Sequence, residues 1–272
     1  MIELTAAPDF IVTKEHRRFV EFCNACRKYR YIGLCYGPPG VGKTVSARYF
    51  TKWDCIQHLM DNYPAHVMPL VPEIVDCCST FYTAPVANTP SRIEKEMNGL
   101  CEQFCQLIKW MKGTVEGKTV YDMEIGGPKV LELIVIDEVD RLRPSSLEQV
   151  RDLYDRTQAG VVLIGMPGIE KRLSRFAQLY SRVGFVHHFK PLSASEVRFI
   201  LKEKWQSLNV TLDLSDFTDK EAVADVVRIT NGNFRLLQRL LGQIERIMEI
   251  NELEVITKEV VDAAREKLVI GP

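Results

Sequence analysis

Gly37-Pro38-Pro39-Gly40-Val41-Gly42-Lys43-Thr44 has the GxxxxGKT spacing of a loop that grips phosphates. Its glycines let backbone N–H groups approach an anion closely, and a following helix turns its positive end toward the same place. Lys43 is expected to reach the β- and γ-phosphates of a nucleoside triphosphate, and the Thr44 hydroxyl to ligate Mg²⁺. The apolar run Tyr31–Tyr36 before the loop predicts a strand, and Val45–Phe50 after it predicts a helix. Gly37, Pro38, Pro39, Gly40, Val41, Gly42, Lys43, Thr44 and Val45 are therefore the candidate nucleotide-binding residues.

A second chemical signal lies about ninety residues on. Leu131–Ile136 is an apolar run, rich in branched side chains, that ends in Asp137 and Glu138. Branched residues on both faces predict a buried parallel strand. Such strands present their C-terminal ends to ligands. Asp137 is expected to share a Mg²⁺ with Thr44, and Glu138 to polarise an attacking water.

The elements that must hold these groups can be read in outline. The spacing predicts a helix from Lys14 to about Tyr29, with Thr13 as a possible cap. Pro64, Pro69, Pro72, Pro85 and Pro90 break up the stretch after the loop helix, leaving short strands around Ile74–Tyr82. Ser91–Met111 has a helical stripe, and Gly113–Lys129 reads as a hairpin or loop. A helix from about Ser145 to Arg156, a strand Val161–Ile164, a short helix within Pro167–Ser174 and a strand Gly184–Phe189 follow. Beyond Pro191 the pattern is helical only, and Ser193–Glu196 and Thr218–Glu221 both fit a capping box. Strands alternating with helices, then helices alone, predict a three-layer α/β core with a parallel sheet over residues 1–190 and a small helical lid over 191–272.

Composition narrows the class. The chain has 272 residues, of which 46% are apolar, enough for a sizeable core. Lys plus Arg number 35 and Asp plus Glu 36, a net charge of -1, so a polyanionic partner would need a local basic patch. No run approaches the roughly 18 apolar residues of a membrane helix, and no signal peptide is evident, which predicts a cytoplasmic protein without a membrane partner. Of the eight cysteines, Cys23 and Cys26 form a CxxC. They share a helical stripe with Phe19, Phe22 and Tyr29 and so read as core residues. The spacings do not repeat as a paired metal-binding set.

These residues together resemble an AAA+ ATPase, over about Lys14 to Lys267. Tyr180-Ser181-Arg182-Val183-Gly184-Phe185 resembles the Ser-Arg box, which implies that Arg182 is a finger acting on a neighbouring subunit's γ-phosphate; Arg172 and Arg175 are competing candidates. Gly232-Asn233-Phe234-Arg235 resembles sensor 2, which implies that Arg235 leans from the lid onto the phosphates. The strand Val161–Ile164 sits where sensor 1 belongs. There the chain departs from the pattern, because Gly165-Met166-Pro167 offers no polar side chain to orient water. Slow turnover stimulated by oligomerisation or partners is compatible with that departure.

Ile136–Thr157, followed by Gly160–Glu170, is similar to the MuB, TniB and TnsC group of transposition regulators, and Asn88-Thr89-Pro90-Ser91-Arg92 before a helix is similar too. This resemblance implies ATP and Mg²⁺ as cofactors. It also implies a homo-oligomeric ring or helical filament on duplex DNA, backbone contacts with little sequence preference, and a transposase with target-selection proteins as partners. Candidate DNA contacts are Arg92, Lys95, Lys109, Lys112 and Lys118. A second basic cluster, Arg17, Arg18, Arg27, Lys28 and Arg30, could instead serve a protein interface. The alternatives are a helicase-loader or clamp-loader-like ATPase and a STAND-type nucleotide-gated interaction protein.

Overall fold

The computed structural model describes residues 10–63, 69–117, 130–207 and 216–268. It divides into two compact units. One comprises His16–Gly37 and Lys43–His188 with Phe10, and the other comprises Ile11–Glu15, Pro38–Gly42 and the chain from Phe189 onward.

The first unit is a three-layer α/β core built on five parallel strands: β1 (Ile32–Tyr36), β2 (Ser79–Thr83), β3 (Leu133–Asp137), β4 (Gly160–Gly165) and β5 (Val183–His188). Their order is β2-β3-β4-β1-β5, and every pairing is parallel. All residues of β3 and β4 are buried, as their uninterrupted branched sequences require. At the sheet edge β5 alternates half-buried and exposed residues instead. The helices are α1 (Lys14–Tyr29), α2 (Lys43–Phe50), α3 (Trp53–Asn62), α4 (Pro90–Val115), α5 (Pro144–Thr157), α6 (Ile169–Leu173) and α7 (Ala177–Tyr180).

Two expectations change. Among the described residues the proline-broken stretch holds one strand, β2, preceded by a 3-10 turn at Pro72–Ile74, rather than several strands. Helix α4 continues through Gly113 to Val115, so Gly113 is a buried helical residue and not the start of a hairpin. Its buried stripe, Ile93, Met97, Phe104, Leu107, Ile108 and Met111, carries the helical spacing past the glycine. Residues 118–129 lie outside the described residues.

Cys23 and Cys26 are fully buried on α1. Burial raises the Cys23 thiol well above its ordinary value and pushes Cys26 up to about 12, which disfavours the thiolate a metal needs. Among the described residues no group of three or more His, Cys, Asp or Glu could hold a metal ion. The small residue at Gly33 lets α1 lie against β1, since a Cβ there would stand 2.2 Å from Cys26 Sγ and 2.6 Å from Phe22 Cζ. Gly33→Ala is expected to lower unfolding stability by about 1–3 kcal/mol through overpacking. A fall in the urea midpoint at constant slope would register it.

The second unit is helical: α8 (Ala194–Ser207), α9 (Phe217–Thr230), α10 (Phe234–Asn251) and α11 (Lys258–Glu266). Trp205, Leu237, Leu240, Ile244 and Val261 are among the side chains of its core. The Ser193–Glu196 capping box forms in full. Ser193 N donates to Glu196 Oε2 at 3.0 Å, and Glu196 N donates to Ser193 Oγ at 3.3 Å. The second expected box does not set the start of α9. That helix begins at Phe217, one residue before Thr218, and Asp216 Oδ1 accepts from Asp219 N at 3.4 Å. An acid at the cap position competes well with a threonine. Among the described residues no helix is long and apolar enough to cross a membrane.

Candidate nucleotide site

The chain leaves β1 at Tyr36 and enters α2 at Lys43, so the six residues between form the loop read from the sequence. Gly40 and Gly42 have φ of 79° and 105°, a region that costs a side chain strain but glycine nothing. Lys43 is buried, and its ammonium donates to Gly37 O at 2.6 Å. Burial lowers its pKa, while Cys35, Asp137, Glu138 and Asp140 act to raise it. The Thr44 hydroxyl donates to Asp137 Oδ2 at 2.6 Å. Two parallel strands two places apart in the sheet thus deliver an ammonium, a hydroxyl and a carboxylate to one spot at their C-terminal ends.

Asp137 is buried, and burial raises its pKa against hydrogen bonds from Thr44 and the Glu138 amide. Glu138 has φ 58° and ψ 39°, a left-handed conformation that is uncommon for a side-chain-bearing residue and tends to mark functional sites. Its carboxylate lies 3.6 Å from Arg141 Nη2. The donor set fits a hard cation, since both candidate ligands offer oxygen. The loop glycines and Lys43 fit a phosphate chain.

The middle of the loop, Pro38–Gly42, belongs to the helical unit. There Arg235 N donates to Gly40 O at 2.9 Å, and Asn233 Nδ2 donates to Pro39 O at 3.1 Å. Asn233 also caps α10 through Leu236 N, at 3.1 Å. Arg235 therefore stands in the first turn of α10 with an exposed side chain.

The arginines near β5 separate by their partners. Arg182 pairs with both oxygens of Asp155 on α5, at 2.7 and 2.9 Å, and also bonds the Gln178 carbonyl. Its own carbonyl accepts from Ile32 N, so it sits by the N-terminal end of β1, away from Lys43. Arg172 holds the Asp140 carbonyl at 2.7 Å and the Leu142 carbonyl. The Arg175 side chain is exposed and meets no partner among the described residues.

The four described candidates for DNA contact do not form one patch. Arg92 and Lys95 lie in the first two turns of α4, and Lys109 and Lys112 in its last two. At about 1.5 Å rise per residue the two pairs stand roughly 25 Å apart. Lys109 and Lys112 thus ride on a helix. Arg92 is also held by Glu96 at 2.6 Å and by the Ala87 carbonyl at 2.9 Å. Lys118 lies outside the described residues.

The bonding of three residues near the site is not legible in the sequence. Buried Asn88 donates to the Pro85 and Arg141 carbonyls at 3.0 and 2.9 Å, and accepts from Arg143 N and Ser146 Oγ at 3.2 and 2.9 Å. Arg141 Nη1 donates to Ala84 O at 3.1 Å. Asp140 Oδ2 accepts from Met166 N at 2.6 Å. These bonds fasten the segment after β3 to its neighbours on either side. The Asn-Thr-Pro triplet was visible in the sequence, but no spacing rule links Asn88 to partners more than fifty residues away.

A family model described as "AAA domain" matches residues 26–173, more than half of the chain. The chain belongs to this AAA family. A "Potential ATP-binding protein" of Staphylococcus aureus is 45% identical over 275 residues, covering 98% of this chain and 99% of that one. The "ATP-dependent target DNA activator B" of Escherichia phage Mu is 23% identical over 254 residues, covering 91% of this chain and 72% of that one. Among solved structures, the Thermotoga maritima RuvB Holliday junction branch migration motor matches with a TM-score of 0.60 at 17% identity, over 96% of this chain and 71% of that one. At that identity the likeness concerns the AAA fold, a parallel sheet with helices and a helical C-terminal region.

Proposed function

We propose that this AAA protein binds and hydrolyses ATP, assembles on duplex DNA as a ring or filament, and directs a transposase to its target. One observation carries the ATPase part. Lys43, Thr44, Asp137 and Glu138 converge at the C-terminal ends of β1 and β3. The 23% identity to the phage Mu target DNA activator, spread over most of this chain, supports the DNA and transposition part.

In the proposed reaction Lys43 exchanges the Gly37 carbonyl for phosphate oxygens, and the loop amides neutralise charge as it shifts to the leaving group. Thr44 and Asp137 would hold Mg²⁺, which would neutralise phosphate charge. Glu138 orients the attacking water. The helical unit acts as a lid, with Arg235 reaching the phosphates, and Arg182 completes the site of a neighbouring copy. Arg92, Lys95, Lys109, Lys112 and Lys118 remain candidates for backbone contact. With the described four split between the ends of α4, they would meet separate stretches of phosphate.

Fluorescence anisotropy of labelled duplex DNA tests this function. Binding is expected with a slowly hydrolysed ATP analogue and to be absent or weak with ADP. It should vary little with sequence and weaken steeply with salt, as counterion release requires. Binding in no nucleotide state would remove DNA from the proposal.

A further inference from the structure

Strand β4 ends at Gly165, where the chain has no polar side chain to offer. Its backbone does not demand glycine, since its φ is not among the positive ones. The space around it does. A Cβ on Gly165 would stand 2.8 Å from Asp140 Oδ2, with Ile169 Cγ1 next at 3.1 Å. The Asp140 side chain has crossed from the turn after β3 to the end of β4, where Met166 N bonds the same oxygen at 2.6 Å. Arg172 on α6 grips the Asp140 carbonyl at 2.7 Å, so the residue is held at both its backbone and its side chain. Oδ1 accepts no hydrogen bond from any described residue. The Asp140 charge also acts to raise the pKa of the Lys43 ammonium, after those of Cys35, Asp137 and Glu138.

We propose that Asp140 supplies, from the turn after β3, the polar group that Gly165 cannot supply from β4, with Oδ1 accepting a hydrogen bond from the water that attacks the γ-phosphate. This rests on the ATPase reading of the site. In the reaction the water oxygen bonds to the γ-phosphorus. The bond from that phosphorus to the β–γ bridging oxygen breaks, and its electron pair leaves with ADP. The water's proton passes through the Glu138 carboxylate to solvent. Asp140 fixes the water's second hydrogen and with it the line of attack. Two acceptors on one water define its orientation, whereas one leaves it free to rotate.

Four variants test this: Asp140→Asn, Asp140→Ala, the double variant Asp140→Ala with Gly165→Asn, and Glu138→Gln as a control. Each is assayed with duplex DNA present for kcat and KM, and separately for affinity to Mg-ADP with and without aluminium fluoride, a mimic of the transferring phosphoryl group. Met166 N holds the one acceptor oxygen of an asparagine here and leaves its NH2, a donor, facing the water, so Asp140→Asn is expected to lower kcat by about 10²-fold, with KM and Mg-ADP affinity within roughly two-fold of wild type, because only the transition state is affected. Its affinity for the aluminium fluoride complex should fall at least about ten-fold. Asp140→Ala should lose as much, and the double variant should recover at least about ten-fold in kcat by restoring a polar group at the strand end. Wild-type turnover in Asp140→Asn overturns the proposal. So does a parallel loss of Mg-ADP affinity and thermal stability, which marks a purely structural residue. No recovery in a folded double variant overturns it as well. Absence of turnover in the wild type, unchanged by Glu138→Gln, would instead bring down the ATPase reading and this proposal with it.

Discussion

Glu138→Gln is expected to leave nucleotide binding intact and to abolish turnover. The substitution keeps size and shape. It also leaves the backbone unchanged, since Gln bears the same left-handed conformation at φ 58° as Glu does. Lys43, Thr44 and Asp137 keep their contacts, and one negative charge fewer near the phosphates does not weaken binding. What disappears is an anionic acceptor for the proton of the attacking water, a contribution worth about 10²–10⁴ in rate. The 3.6 Å pair with Arg141 also goes. Both partners are more than a third exposed, so little stability goes with it. Phosphate release under single-turnover conditions, beside the affinity for a fluorescent ATP analogue, reads both parts. Normal turnover in this variant would remove Glu138 from its role.

The second large effect is expected of Arg182→Ala, which should bind nucleotide and hydrolyse it about 10³–10⁵-fold more slowly, as for other arginine fingers. The bidentate pair with Asp155 offers a competing explanation for the residue. A partly exposed pair of that kind is worth about 0–1 kcal/mol, however, so loss of the pair alone would shift the melting temperature slightly and leave the rate unchanged. Position decides how the finger could act. Arg182 joins the sheet beside Ile32, and the phosphate loop begins after Tyr36, so β1 separates them by about 17 Å. It can act only on another copy. Mixing Glu138→Gln, which keeps its finger, with Arg182→Ala, which keeps its acceptor, is therefore expected to restore part of the activity. If the mixture stays dead, Arg175 becomes the residue to change, because its exposed side chain needs to break no bond first.

The parts of this protein legible in sequence were those in which chemistry and spacing are local. The phosphate loop is eight consecutive residues, and the Asp137–Glu138 pair closes one apolar run. The buried strands β3 and β4 announced themselves because a strand covered on both faces must be apolar throughout. The edge strand β5 was also found, through Phe185 and its neighbours, although alternation over six residues is a weaker signal. The errors fell where a local rule met a long-range one. Gly113 breaks an isolated helix, but a stripe from Ile93 to Met111 packed into the core outweighs the roughly 1 kcal/mol a glycine costs. The start of α9 at Phe217 differs from the pattern by a single residue, a local difference too small to see in it.

By itself the sequence determined the α/β class and pointed to the groups proposed to meet a phosphate, because these depend on residue type and on distances of a few positions. Tertiary structure decided what those groups lean on. It placed Asp140 over Gly165, Asn88 under the segment after β3 and Asp155 against Arg182. Each of these joins residues 25 or more positions apart. A side chain's reach across a sheet is set by the order β2-β3-β4-β1-β5, and a list of residues does not contain that order until the chain has folded.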